Sequence, residues 1–562
     1  MDQTSIVRHC KELGCCDACC IRYLGLKSPS SYENVHQFIR KYVEQTNLDN
    51  TEQDLSDSST EVKEEKNENH LSIDTTPNHT SKDTSTNGVS ERCTGLESNQ
   101  DEINNETVEG PPAKRIKLDN ICVSCLGVLQ KETWPECFSM VQEVLDKKRY
   151  ECESIACALS SPIAAIVRER VIALHLEHTF AGYDINTVMP LKEAWKWTFG
   201  RKLSKIVGKQ LDSGAVSPLL ITVSLEYPEE LQELEVVRQL APAQFESRSK
   251  QRRRFAVEFT RRAIEQAFDG ASPAALKALA AQPPTRPVAP ARPVSVQASH
   301  APLYLGGRYV KLSRALPQTP WLVAGRRMMH SSVQEIIFEP LAEVYGLTRE
   351  EADQQFKLIS AGREDVDVRC LGTGRPFAVE ISDPRRQPSA EELARACEII
   401  TADGKVIVKS LVPVSRDQLT LLKQGEQTKC KTYEALCVKL DGTVTERDLA
   451  SINTYRNTPA DSEARVELRQ RTPLRVLHRR PLLERTRKLW ELTARAVPDA
   501  DNLFVVHLRT EAGTYVKEWA HGELRRTRPS LAEALPADRP SRTDILALDV
   551  VDVELPWPPN NT

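Results

Sequence analysis

No apolar run in this chain is long enough to cross a bilayer, and its first residues lack the apolar core of a signal peptide. Both absences point to a soluble, intracellular protein with no membrane partner. There is no phosphate-cradling glycine loop, no dinucleotide fingerprint and no Ser-His-Asp spacing, so neither a bound dinucleotide nor a serine nucleophile is expected. No internal repeat is evident. Residues 45–120 contain no Phe, Tyr or Trp and are rich in Asn, Ser, Thr, Asp and Glu. Such a segment cannot bury enough surface to offset its ordering entropy, and it reads as disordered.

What the chain does have is length, thiols and unevenly placed charge. Its 562 residues allow two or three domains, each with its own core. The net charge of −4 hides 16 Asp/Glu against 4 Lys/Arg in residues 49–110. Without that block the remainder is positive, which suits a polyanionic partner. Fifteen cysteines in a chain of this size, with no export signal, read as reduced thiols, some of them on metal. Cys16-Asp-Ala-Cys19 and Cys122-Val-Ser-Cys125 are two CxxC pairs. Each can place two thiolates from one tight turn on two corners of a tetrahedron, so together Cys16, Cys19, Cys122 and Cys125 make a closed, structural zinc site. Cys15 and Cys20 crowd the first pair and leave its register open by one residue. Most of the intervening chain is the disordered block, whose length adds little to the cost of loop closure.

Five segments follow. Residues 1–44 carry the first cysteine cluster and a helical pattern near Val35–Val43. Residues 45–120 are the acidic insert, ending in Pro111–Asp119, PPAKRIKLD, a basic cluster after prolines that looks like a nuclear localisation signal. Residence in nucleus and cytoplasm is therefore expected. Residues 121–270 read as a folded α+β unit. Within it Leu191–Lys209 has Ala194, Trp195, Thr198, Phe199, Leu203, Ile206 and Val207 at helical spacing, surrounded by lysine and arginine, and Leu219–Tyr227 reads as a strand. Residues 271–300 are an Ala/Pro-rich linker, and residues 301–562 form a second large domain.

Ala361–Glu380, AGREDVDVRCLGTGRPFAVE, packs four carboxylates and three arginines around glycine turns, with an apolar strand, Pro376–Ile381, directly after. Charge at that density beside a buried strand is costly unless the groups pair or do chemistry. Gly362-Arg363-Glu364-Asp365 resembles the catalytic loop of pseudouridine synthases, and the longer string resembles the Pus-ten family of archaeal and eukaryotic tRNA pseudouridine synthases. Two more segments carry the likeness: Lys431-Thr432-Tyr433, and Gly513-Thr514-Tyr515-Val516-Lys517, which follows an alternating strand, Leu503–Arg509, and is similar to a strand motif of these enzymes. CDACCIRY (Cys16–Tyr23), CVSCLGVL (Cys122–Leu129) and TPLRVLHRR (Thr472–Arg480) share it.

The resemblance implies an isomerase acting on tRNA uridines 54 and 55 of the T arm, with a THUMP-like RNA-binding accessory domain, structural zinc, no catalytic cofactor, and a monomer. Asp365 stands for the catalytic carboxylate, attacking the sugar carbon or drawing off a sugar proton. That carboxylate must stay ionised inside a pocket, so a cation should pair with it: Lys517 first, then Arg363. Tyr433 stands for the tyrosine that stacks on the detached base, and Tyr515 for the far wall. Arg469–Lys488 has eight basic residues with Glu484 as its one acid, and Gln251–Arg262 is a second basic stretch. Both suit RNA phosphates, whose contacts would offset the cost of unstacking the target uridine. The expected class is α+β, an N-terminal zinc-bearing accessory domain followed by a catalytic domain on a mixed, largely antiparallel sheet, with Asp365 on a loop at the centre of a cleft.

Two other classes fit the same residues. One is a non-catalytic RNA-binding adaptor in nuclear microRNA precursor processing. The other is a metal-dependent nuclease using Glu364, Asp365, Asp367, Glu380 and Asp383.

Overall fold

The computed structural model describes residues 2–42, 108–109, 120–212, 214, 217–251, 258–428, 430–538 and 541–559. The basic cluster at 111–119, nearly all of the acidic insert and the centre of the 251–262 basic stretch lie outside the described residues. Contacts divide the chain into two units. One comprises Met1–Val144, Ile155–Val216 and Ile221–Ala298; the other comprises Leu145–Ser154, Ser217–Leu220 and Ser299–Thr562. Among the described residues no helix is long and apolar enough to cross a membrane.

The N-terminal unit is built on a five-stranded sheet. Its strands are β1 (Val108–Glu109), β2 (Ser154–Ser160), β3 (Gln210–Leu211), β4 (Leu219–Glu226) and β5 (Arg292–His300), in the order β1-β5-β4-β2-β3. Residues 35–42 are helical, as their spacing suggests. The 271–300 segment is no linker. Ser272 caps the helix Pro273–Ala280, whose alanines favour helix, and β5 then joins the sheet and pairs with Val108–Glu109 of the acidic insert. The helix expected over Leu191–Lys209 is also interrupted. Lys196–Gly200 forms a π turn between the helices Leu191–Trp195 and Arg201–Val207. An inserted residue rotates everything after it around the axis. Ala194, Trp195, Phe199 and Leu203 are buried, but Ile206 is turned out to solvent, contrary to its place in the apolar stripe.

The C-terminal unit is a mixed sheet of ten strands beside a short hairpin, β7 (Leu322–Val323) with β8 (Arg326–Arg327). The sheet strands are β6 (Leu303–Lys311), β9 (Phe356–Ser360), β10 (Arg369–Ile381), β11 (Val406–Val414), β12 (Lys431–Lys439), β13 (Val466–Arg471), β14 (Glu484–Ala496), β15 (Leu503–Thr510), β16 (Thr527–Arg528) and β17 (Thr543–Val553). Their order is β11-β6-β10-β17-β12-β15-β14-β13-β16, with β9 also on β10. The β10–β17 pair is parallel and the other recorded pairs are antiparallel.

A bulge in β10 lets one strand serve both halves of this sheet. Arg369 and Cys370 pair with β17, Cys370 with β6 as well; from Arg375 onward β10 pairs with β6 and, from Phe377, also with β9. Gly372 and Gly374 make the bulge at φ +61° and +83°. A Cβ on Gly372 would sit 2.0 Å from the Val551 carbonyl oxygen, and one on Gly374 2.6 Å from that of Tyr309, so no larger residue fits. Helices Val333–Tyr345 and Ala390–Ala402 close one core over β6, β10 and β11; helices Glu446–Thr454 and Val516–His521 close the other over β12, β14, β15 and β17.

Candidate active site

Between β9 and β10 runs the loop that holds Asp365, and buried charge fixes it from below. The Glu364 side chain is fully buried beside Arg375, whose Nε donates at 2.6 Å to Oε2, while the Tyr309 hydroxyl donates at 2.8 Å to Oε1. Burial opposes the Arg375 charge, and Glu364 outweighs it to hold the guanidinium firmly protonated. Arg375 Nη1 donates to the Ala361 carbonyl at 2.9 Å, and Gln318 Nε2 to the Gly362 carbonyl at 3.0 Å. Gly362 is at φ +88°, and a Cβ there would meet the Lys431 ammonium at 2.9 Å. From β6 the buried Lys311 ammonium donates to the carbonyls of Leu316 (2.7 Å), Asp365 (3.2 Å) and Val366 (2.8 Å).

With its backbone tied down, Asp365 presents a half-exposed carboxylate to a cleft of about 820 Å³. Arg475 is the nearer cation: its Nη1 lies 3.0 Å from Oδ2 and 3.2 Å from Oδ1. Lys517 Nζ lies 3.4 Å from Oδ2 and divides its charge with Asp367 at 2.7 Å. The sequence points first to Lys517, which does pair with Asp365, and then to Arg363, which does not. Arg363 borders the cleft, exposed, with no ion pair to a described residue. Arg475 is instead aimed by Glu518, a buried carboxylate whose Oε1 accepts from Nε at 2.6 Å. Burial works against the Arg475 charge, and Glu518 and Asp365 together raise its pKa above the usual value.

Tyr433 and Tyr515 also line this cleft. Tyr433 is on β12, with its phenol pushed up to about 12, by burial first and against the pull of Arg375. Its hydroxyl makes no hydrogen bond to a described residue. Tyr515 is not in a strand, as its motif suggests. It is the N-cap of the helix Val516–His521, which also carries Lys517 and Glu518 on its first turn. Gln470 clamps its backbone: Nε2 donates to the Tyr515 carbonyl and Oε1 accepts from its N–H, both at 3.0 Å. Arg479, Arg480 and Arg487 complete a strongly positive rim. The site can thus hold an ionised carboxylate, a flat ring and an anionic backbone together.

The carboxylates of the nuclease reading do not converge. Glu364 is committed to Arg375 and Tyr309, and Asp383 accepts from Lys148 Nζ and the Tyr150 hydroxyl, each at 2.6 Å. Among the described residues, the group that could hold a metal with three or more such ligands is Cys16, Cys19, Cys122 and Cys125, whose sulfurs all lie within 4.8 Å of one another. Four sulfurs about 2.3 Å from a tetrahedral zinc stand roughly 3.8 Å apart, and Cys16 Sγ to Cys125 Sγ is 3.8 Å. The Cys16 N–H donates to Cys122 Sγ at 3.2 Å and Arg22 Nη1 to Cys19 Sγ at 3.5 Å, which fits sulfurs carrying thiolate charge. This donor set fits zinc, and the sulfurs that converge are those of Cys16 and Cys19 rather than of Cys15 and Cys20.

A family model described as Pus10, C-terminal, matches residues 304–554, and one described as eukaryotic Pus10, N-terminal, matches residues 122–298. The tRNA pseudouridine synthase Pus10 of Xenopus laevis is 31% identical over 566 residues, covering 99% of this chain and 98% of the relative. That of Homo sapiens is 31% identical over 457 residues, covering 80% and 81%. Among solved structures, a Cbf5-Nop10-Gar1 complex aligns with 43% of this chain and 47% of its own at 15% identity and a TM-score of 0.23, too slight a likeness to carry an argument. The sequence matches carry it alone: this chain belongs to the Pus10 family, and is an isomerase of the pseudouridine synthase class.

Proposed function

We propose that the substrate is tRNA, that the uridines converted are 54 and 55 of the T arm, and that Asp365 is the catalytic carboxylate. The observation that carries this reading is the Asp365 carboxylate held between Arg475 and Lys517 in a cleft shared with Tyr433 and Tyr515. Arg479, Arg480 and Arg487 meet the phosphates around the target, and their contacts offset the few kcal/mol needed to extrude a base.

Asp365 acts on the ribose, either by bonding to C1′ or by taking the C2′ proton. Either way the N1–C1′ bond breaks and its electron pair stays on the base. Held against Tyr433, the base turns and C5 joins C1′, displacing the Asp365 carboxylate in the first route or with Asp365 returning the proton to C2′ in the second; the C5 proton then leaves and N1 gains one, so mass is unchanged. Tyr433 stays a neutral phenol at ordinary pH. It can therefore take the C5 proton only while releasing its own, as a relay. The zinc-binding N-terminal unit grips RNA outside the T arm in the THUMP-like manner, and the basic cluster 111–119 gives access to the nucleus. The test is an unmodified tRNA transcript mapped for pseudouridine by position. Wild type converts 54 and 55 and Asp365→Ala neither; conversion by Asp365→Ala at the wild-type rate would refute the assignment.

A further inference from the structure

The N-terminal unit holds a cavity of its own, of about 670 Å³, lined by residues of that unit alone. The cavity combines a presented aromatic ring with three lysines that have no ion pair to a described residue. Trp197 lies on the π turn Lys196–Gly200, and such turns inside helices are frequent at functional sites. The turn stacks Trp195 and Phe199 inward at 4.4 Å, with Phe138 on Phe199 at 4.8 Å. Trp197 is left partly exposed at the cavity wall.

Two buried rings, Tyr32 and Trp134, also line the cavity, and Tyr32 packs against Trp197. Tyr32 lies 5.4 Å from Trp197 and spends its hydroxyl on the Leu26 carbonyl; Trp134 spends its indole N–H on the Val128 carbonyl. The Trp197 indole N–H makes no hydrogen bond to a described residue. Around the cavity stand Lys131, Lys202 and Lys205, exposed and without an ion pair to a described residue, whereas the one acid lining it, Glu33, is taken by Arg201.

A rigid, half-open indole with amines on its rim fits a planar, uncharged group attached to an anion. We propose that this cavity binds one unpaired nucleotide of RNA, its base stacked on Trp197 and its flanking phosphates on Lys131, Lys202 and Lys205. The proposal rests on the RNA substrate proposed above and adds where a single-stranded part of that RNA is held. Stacking tolerates any base, so the site selects for unpaired RNA rather than for sequence.

The probe is an unstructured RNA hexanucleotide carrying one 5-iodouridine, compared with a blunt RNA duplex, on the full-length protein. Irradiation should cross-link the hexanucleotide to the Trp197 peptide. Trp197→Ala should weaken hexanucleotide binding about tenfold and leave the duplex unchanged, with Trp197→Phe recovering most of the loss. The double variant Lys131→Gln, Lys205→Gln, altered only at exposed positions, should lower the salt dependence of log affinity by about one unit. A cross-link found only elsewhere, or equal losses for hexanucleotide and duplex in Trp197→Ala, overturns the pocket. Isomerisation of an isolated T-arm stem-loop is read in parallel. Trp197→Ala should turn that stem-loop over at the wild-type rate, and a wild-type protein inert on the full tRNA transcript would refute the catalytic reading instead.

Discussion

Arg475 Nη1 lies 3.0 Å from Asp365 Oδ2. This pair joins residues 110 positions apart in the chain, and it makes Arg475 the nearer counter-charge of the carboxylate. Arg475→Ala should lower kcat by about 10²-fold, the usual scale for removing a group that stabilises charge at a reacting centre. Lys517→Ala should cost less, because Lys517 sits farther from Asp365 and divides its charge with Asp367. Glu518→Gln tests the aiming of Arg475: kcat should fall with little change in KM, whereas a purely structural role would show as a lower Tm. The ranking fails if Lys517→Ala proves the more damaging.

Glu364 and Arg375 are among the most buried charges of the C-terminal unit. Glu364→Gln keeps the shape and leaves the guanidinium without its counter-charge. Breaking such a pair typically costs about 3–5 kcal/mol, so Tm should drop by several degrees even where residual activity survives. A carboxylate needed for metal-ion chemistry would behave in the opposite way, with activity lost and Tm held. Thermal melting beside a turnover assay on the same sample separates the two.

Much of this site can be read along the chain because its charge is local: Gly362-Arg363-Glu364-Asp365 announces itself by density, and the alternation in Leu503–Arg509 gives β15 directly. What cannot be read is pairing across distance. The eight basic residues of Arg469–Lys488 do not say which one turns inward, and Glu518, which selects Arg475, is a lone acid in an unremarkable short helix. Proline and alanine in 271–300 suggest a linker, yet the alternation Pro293-Val-Ser-Val-Gln-Ala298 was signal enough for β5. Ile206 misleads because a helical-spacing argument assumes an unbroken 3.6-residue turn, which the π turn at Lys196–Gly200 denies.

Zinc content tests the cysteine register. Purified protein should carry about one zinc per chain, and Cys16→Ser or Cys122→Ser should lose it, with the N-terminal unit becoming sensitive to protease. Cys15→Ser and Cys20→Ser should keep it, since their sulfurs lie outside the four that converge. Structural zinc supplies folding free energy, on the order of 10 kcal/mol in small zinc domains. The loss should therefore appear as unfolding of that unit rather than as a slower chemical step. Metal retained by Cys16→Ser and lost by Cys15→Ser would move the site by one residue.

The Lys311 ammonium sets the alkaline limit. Burial lowers its pKa from 10.5 to about 8, with Glu364 and Asp367 pulling it back up and Arg375 pushing it further down. As an ammonium it has three N–H donors for three carbonyls, those of Leu316, Asp365 and Val366; as an amine it has two. Turnover should therefore fall above about pH 8 as the Asp365 loop loses an anchor. Stability should move the other way. The unfolded chain keeps this proton up to about 10.5, so between about 8 and 10.5 it binds more protons than the folded chain, and the group's contribution to stability rises with pH. Activity declining while Tm holds or climbs is the signature. Lys311→Met, with no proton to lose, should be slow at every pH and show a flat alkaline limb. If instead it keeps the wild-type limb, the titrating group lies elsewhere.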